Sequence, residues 1–217
     1  MTVVPVAFQL ASWIPAWWRG DAGGDDVVGL MGPVDLADVL SLREGAIALT
    51  AYCPELGVGV LPGPKPATEA AVQSGQALIV HRGPSTASSL ILQQDGRWES
   101  VSANPARPVD LSLDQAAAEL AQAVVRAEHG LREAALDFAV DYRPSSVRPL
   151  PPGTPGPRMA LLSRAVRIWT AIDAVPGDLR TEAMGSALHA AARATLAAYV
   201  EPPVAVREPR TSDRRLA

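Results

Sequence analysis

Three histidines, one cysteine and a few clustered carboxylates are the residues of this 217-residue chain best suited to chemistry. Histidine comes first, because it titrates near neutrality and serves as base, metal ligand or nucleophile partner. His81 ends the apolar stretch Ala77 to His81 and opens the segment HRGPSTASS, where Arg82, Ser85 and Thr86 crowd a turn. Loops on a rigid scaffold carry function more often than cores do. His81, Arg82 and Ser85 are therefore the candidate ligand-binding set, against the plainer reading of a polar hairpin loop. His129 falls opposite the apolar seam of a long helix, with Glu133 and Asp137 following at four-residue steps. That spacing would give a metal-binding face. A solvated helix face accounts for the same residues, and no metal or cofactor is assigned. His189 shares one side of a later helix with Glu182, Ser186 and Arg193, which reads as a polar stripe.

Other chemistries find less support. The glycine–serine–glycine elbow of a hydrolase is absent, so no catalytic residue is assigned. Cys53 is the only cysteine, which excludes an intramolecular disulfide and a thiolate zinc cage within one chain. A lone thiol before Pro54-Glu55 reads as a buried, inert side chain. Gly63 and Lys65 precede an expected helix, but Pro62, Pro64 and Pro66 each remove a backbone donor that a phosphate cradle would need. GDAGGDD at 20–26 lacks the ordered ligand alternation of a calcium loop and reads as a flexible loop.

The aromatic residues are unevenly placed. Phe8, Trp13, Trp17 and Trp18 fall within the first 18 positions of a chain with five tryptophans in all. Trp13 and Trp17 are four apart, so a helical turn puts them on one face. Folded back, they are core; left as an arm, Trp13, Trp17 and Trp18 are partner-binding anchors.

The elements that position these residues divide by period. Residues 1–108 read as a β-rich region of about six strands, in a mixed or mostly antiparallel sheet with short helices. The runs from which they are drawn are the strand-like opening at Val4, Val6 and Phe8, then Val27 to Met31, Ala46 to Tyr52, Val58 to Leu61, Ala77 to His81, and the hairpin Leu90 to Gln94 with Arg97 to Ser102 about Asp95-Gly96. Short helices are expected over 35–42, with Asp35 as cap, and over 67–73. Residues 109–203 read as a three-helix half. Leu113, Ala117, Leu120, Val124, Ala127, Leu131, Ala134 and Phe138 advance by alternating fours and threes, a helical seam begun by a Ser112–Gln115 capping box. Residues 144–157 hold six prolines and form an extended crossover, within which RPLPP at 148–152 is a stretch of linker rather than a ligand of proline-reading domains. Helices follow over 159–175 and 181–200, and residues 204–217 read as a flexible tail. The fold class expected is α+β, and the two halves could share one domain.

Composition narrows the function classes. Hydrophobic residues make up 48% and charged residues 19%, the balance of a folded, soluble chain. A net charge of −4 disfavours nucleic acid, because sequence-independent affinity requires phosphate neutralisation. Lys65 is the only lysine, so arginine abundance reflects codon usage before it reflects phosphate binding. No stretch is long and apolar enough to span a bilayer, and Pro5 and Pro15 interrupt the apolar start, so a cytoplasmic location is expected. With catalytic clusters absent and apolar seams prominent, the leading expectation is a non-enzymatic interaction or assembly module, binding itself as a homo-oligomer or another protein. The alternative is a small-molecule-binding protein or enzyme with a pocket near His81, where sheet and helices meet.

Overall fold

The computed structural model describes residues 4–32, 36–83, 85–94, 97–108, 112–133 and 148–200. Among these, the chain is α+β, with seven α-helices and one four-stranded antiparallel sheet. Helices α1 (Val6–Arg19), α2 (Gly24–Met31) and α3 (Leu36–Ser41) precede β1 (Ala48–Tyr52). Helix α4 (Lys65–Ser74) links β1 to β2 (Ala77–His81), and the hairpin of β3 (Ser88–Gln94) and β4 (Arg97–Ala103) follows. Helices α5 (Leu113–Glu133), α6 (Gly156–Asp173) and α7 (Glu182–Tyr199) complete the chain. The strands pair in sequence order, which leaves β1 and β4 at the edges.

The expected six-stranded, β-rich first half is wrong: its described residues form four strands and four α-helices. The opening at Val4, Val6 and Phe8 alternates over too few residues to set a period. The apolar run continues through Ile14, and α1 buries residues on every side, including Phe8, Leu10, Trp13 and Ile14. A helix that is apolar all round belongs in a core. Val27 to Met31 lies within α2, where Asp25 and Asp26 occupy the first turn and favour a helix start. The loop expected over 20–26 shrinks accordingly, since Gly20 ends α1 in the left-handed conformation and α2 begins at Gly24. Val58 to Leu61 forms only an isolated bridge, Cys53 to Val58, because Gly57 and Gly59 take positive φ and Pro62 follows. Asp35, the Asp95-Gly96 turn, Phe138 and the tail fall outside the described residues.

One face of the sheet presents Ala77, Ile79, Leu90 and Leu92 to Ala67 and Ala71 of α4. The opposite face presents Leu49, Ala51, Leu78, Val80 and Ile91 to a larger core that includes α1 and runs on into α5, α6 and α7. In α5 the buried line is Ala116, Leu120, Ala123 and Ala127, while Leu113, Ala117 and Val124 flank it half-buried. The expected seam is thus rotated slightly. Helix α7 is alanine-rich on its buried sides, which lets α5 and α6 approach it closely. Thr181 caps it, its Oγ1 accepting from the Met184 N–H at 3.3 Å.

The N-terminal tryptophans pack inward. Trp13 is 5% exposed, its Nε1–H donates to the Pro149 carbonyl at 3.2 Å, and the Arg148 guanidinium lies 4.7 Å from its ring centroid. Arg148 also bonds the Asp26 carboxylate at 2.8 Å, while its carbonyl accepts from the Tyr199 hydroxyl at 2.7 Å. Burial raises the Tyr199 pKa and keeps that hydroxyl a donor. Leu150 is buried, so the RPLPP stretch is fastened to the core. Trp17 and Trp18 are half-buried against the same core.

Trp13→Ala removes a buried ring, a hydrogen bond and a cation–π contact, and should cost about 3–5 kcal/mol in urea unfolding. Trp17→Ala should cost less. A Trp13→Ala loss under ~1 kcal/mol would place that ring outside the core.

Candidate functional site

A cavity of about 310 Å³ lies against the outer edge of β1, where the sheet meets α7. Five groups of residues enclose it. Thr50 and Ala51 come from β1, residues 57–60 and Pro62 from the turn after it, and His81 from the end of β2. Ala106 and Arg107 follow β4, and Arg193 and Leu196 come from α7. Its size is at the lower end of small-molecule sites.

Local sequence explains each wall. The 3-10 turn Pro54–Leu56 ends at Gly57 in the left-handed conformation, and reciprocal bonds between Cys53 and Val58 close the loop at 3.0 and 3.2 Å. Gly59 has φ of +91°, and a Cβ there would lie 2.5 Å from the Ala51 carbonyl oxygen. Only glycine allows the turn to press this closely on β1. Helix α7 holds the turn from outside: His189 Nδ1–H donates to the Leu56 carbonyl at 2.9 Å, with its ring against Gly57. The opposite wall is fixed by the Asn104 N–H donating to the Gly63 carbonyl at 2.7 Å, which ties the end of the turn to the segment after β4.

The polar centre of the cavity is a buried pair. His81 and Thr50 are 3% and 6% exposed, and His81 Nε2 lies 2.7 Å from Thr50 Oγ1. His81 Nδ1 lies 3.3 Å from the Ala106 carbonyl, a group that can only accept. Nδ1 therefore carries the proton, and the Nε2 lone pair accepts from the Thr50 hydroxyl. Burial lowers the His81 pKa, against a smaller raising effect from the Ala106 carbonyl, so the ring is neutral at pH 7. Continued by one residue, the β2–β3 register sets Ser88 opposite His81. The Ser88 hydroxyl is buried with no hydrogen-bond partner among the described residues.

The lining contains two arginines and no carboxylate. Arg193 Nε lies 3.5 Å from Glu119 on α5, and both side chains are partly exposed. Arg107 is exposed and makes no hydrogen bond or ion pair among the described residues. The rest of the wall is largely apolar, including Val60, which is 66% exposed at the rim.

Of the three ligand residues expected from sequence, only His81 lines this cavity. Arg82 bonds Ser89 and the Glu44 carbonyl instead, and Ser85 is exposed in the turn beyond β2. Thr50, Arg107 and Arg193 were not in the expected site. Thr50 had a signal, as the one aliphatic hydroxyl in the strand ALTAY. Arg107 had none, because its position depends on where the chain runs after β4. Arg193, His189, Glu182 and Ser186 border an open groove between α5 and α7 beside the cavity. No group of three or more His, Cys, Asp or Glu side chains among the described residues is arranged to hold a metal, and Asp137 lies outside them. Cys53 is buried, and its pKa is raised, first by desolvation. No described helix is long and apolar enough to cross a membrane.

A histidine with a lowered folded pKa takes up its proton more readily when unfolded. Its contribution to stability is complete above the unfolded value of 6.5 and is lost as pH falls toward the folded value. The urea midpoint should therefore drop between about pH 7.5 and about pH 5, and less steeply in His81→Gln. Equal slopes in the two proteins would show that His81 titrates alike folded and unfolded. No family model matches the chain, no curated protein matches its sequence, and no solved structure matches its fold.

Proposed function

We propose that this protein binds a small organic anion, a carboxylate on a short apolar body, in the cavity beside β1. The observation that carries this reading is the composition of the lining: two arginines, a neutral imidazole with its hydroxyl partner, apolar walls, and no acidic side chain. In a chain of net charge −4, a concave site with only positive charges selects by sign. Arginine meets a carboxylate with two parallel donors, so either Arg107 or Arg193 suits the head group. The apolar wall suits a body of a few carbons.

The interaction-module expectation rested on the absence of catalytic clusters, on apolar seams and on an aromatic N-terminus. With Trp13 buried and Trp17 and Trp18 packed against the core, the cavity is the better-supported functional feature. The test is calorimetric titration of the full chain with hexanoate, hexanol and hexylammonium. Hexanoate should bind more tightly than either analogue. Arg107→Ala should weaken it about 10- to 100-fold, as expected for loss of a charge-assisted bond, while leaving the unfolding midpoint in place. Equal binding of all three, or hexanoate binding unchanged in both Arg107→Ala and Arg193→Ala, would overturn the reading.

A further inference from the structure

We infer that Thr50 and His81 form a nucleophile–base pair for acyl transfer, so that the bound anion is the acyl portion of an ester. This rests on the binding reading above and adds a reaction to it. The geometry has the three parts that an activated hydroxyl requires. Thr50 Oγ1 is at hydrogen-bond distance from His81 Nε2, 2.7 Å away. The Ala106 carbonyl, at 3.3 Å from Nδ1, holds the ring in the tautomer whose Nε2 can take a proton. Both Thr50 and His81, 6% and 3% exposed, belong to the lining of the same cavity, beside the space in which a substrate would sit. In hydroxyl-nucleophile hydrolases a carboxylate commonly orients the histidine; here a backbone carbonyl does so. A neutral orienting group stabilises the imidazolium less than a carboxylate would, which suits activated or slowly turned-over esters.

The step balances within the residues present. Thr50 Oγ adds to the ester carbonyl carbon while its proton passes to His81 Nε2. The bond from that carbon to the alcohol oxygen breaks, and the departing alcohol takes the proton from Nε2. Water then adds to the Thr50 acyl ester and gives a proton to Nε2. The carbon–Oγ bond breaks, and Oγ recovers its proton. Ester and water have become acid and alcohol. Arg107 and Arg193 supply positive charge in the same cavity for a substrate carboxylate.

The full chain is treated with diisopropyl fluorophosphate and, separately, assayed with p-nitrophenyl butyrate and the mono-p-nitrophenyl ester of glutarate. One phosphoryl group should attach, on the peptide carrying Thr50, and the glutarate ester should be cleaved faster than the butyrate. Thr50→Val should abolish labelling and lower kcat/KM about 100-fold or more. Thr50→Ser, which keeps the hydroxyl, should retain both, and separates loss of the nucleophile from loss of fold. Labelling elsewhere, or turnover unchanged in Thr50→Val, would overturn the inference. If the wild-type chain binds hexanoate but is neither labelled nor active, the pair is structural, and the inference falls while the binding reading stands. If it does neither, both fall.

Discussion

The arrangement depends on one constraint: α1 must be enclosed. Its residues are apolar around nearly the whole circumference, so no face of it can rest against water without exposing large side chains. The sheet covers one side through Leu49, Ala51, Leu78 and Val80, and α7 packs on it as well. Gln76 fixes the start of the helix by accepting from the Ala7 N–H at 2.9 Å. Arg148 fixes the other end of the problem. It stacks on Trp13, pairs with Asp26 and offers its carbonyl to Tyr199, so one residue joins α1, α2 and the end of α7. Since α7 also forms a wall of the cavity, the packing that buries α1 sets the distance between α7 and β1.

That distance leaves the outer edge of β1 incompletely covered. An edge strand presents unpaired backbone groups, and proteins commonly cover such edges with a loop or helix. Here the 54–62 turn folds back on β1 but pairs with it only through Cys53 and Val58. Gly59 lets the turn lie flat against Ala51 and Tyr52, and His189 pins its apex to α7. The space between turn, strand and α7 is the cavity. Its polar wall comes from the middle of β1 and the end of β2, where antiparallel pairing sets Ala48 opposite His81 and brings Thr50 within reach diagonally.

How far the sequence discloses this differs by element. The β3–β4 hairpin, α4 and α6 are legible because their periods and end residues agree, with Gly75 closing α4 in the left-handed conformation. Helices α1 and α2 are not. A short apolar run satisfies a buried strand and a buried helix equally well, and the choice is made by what packs around it. The same ambiguity hides the site. His81 is visible as a polar residue ending an apolar strand, but its partners lie 31 residues upstream, at Thr50, and 25 downstream, at Ala106. Neither separation has a local signature. Arg82, adjacent in sequence, points to Ser89 because neighbours in a strand emerge on opposite sides.

Why a hydroxyl and an imidazole occupy this wall can be argued from what replacing them would do. Both lie among buried apolar strand residues, where valine or leucine would fill similar volume without desolvating a polar group. A satisfied hydrogen bond contributes only about 1 kcal/mol net, so the pair gains the fold little over an apolar substitute. The lowered pKa of His81 is a further disadvantage, since it makes stability fall in mild acid. Neither term explains the pair as a stabilising device. Its position bears on it: the pair lines the cavity at the edge of β1, among apolar side chains and beside Arg107, which has no partner among the described residues. Under the binding proposed above, groups that the core would be better without stand together at the cavity because a ligand there would use them.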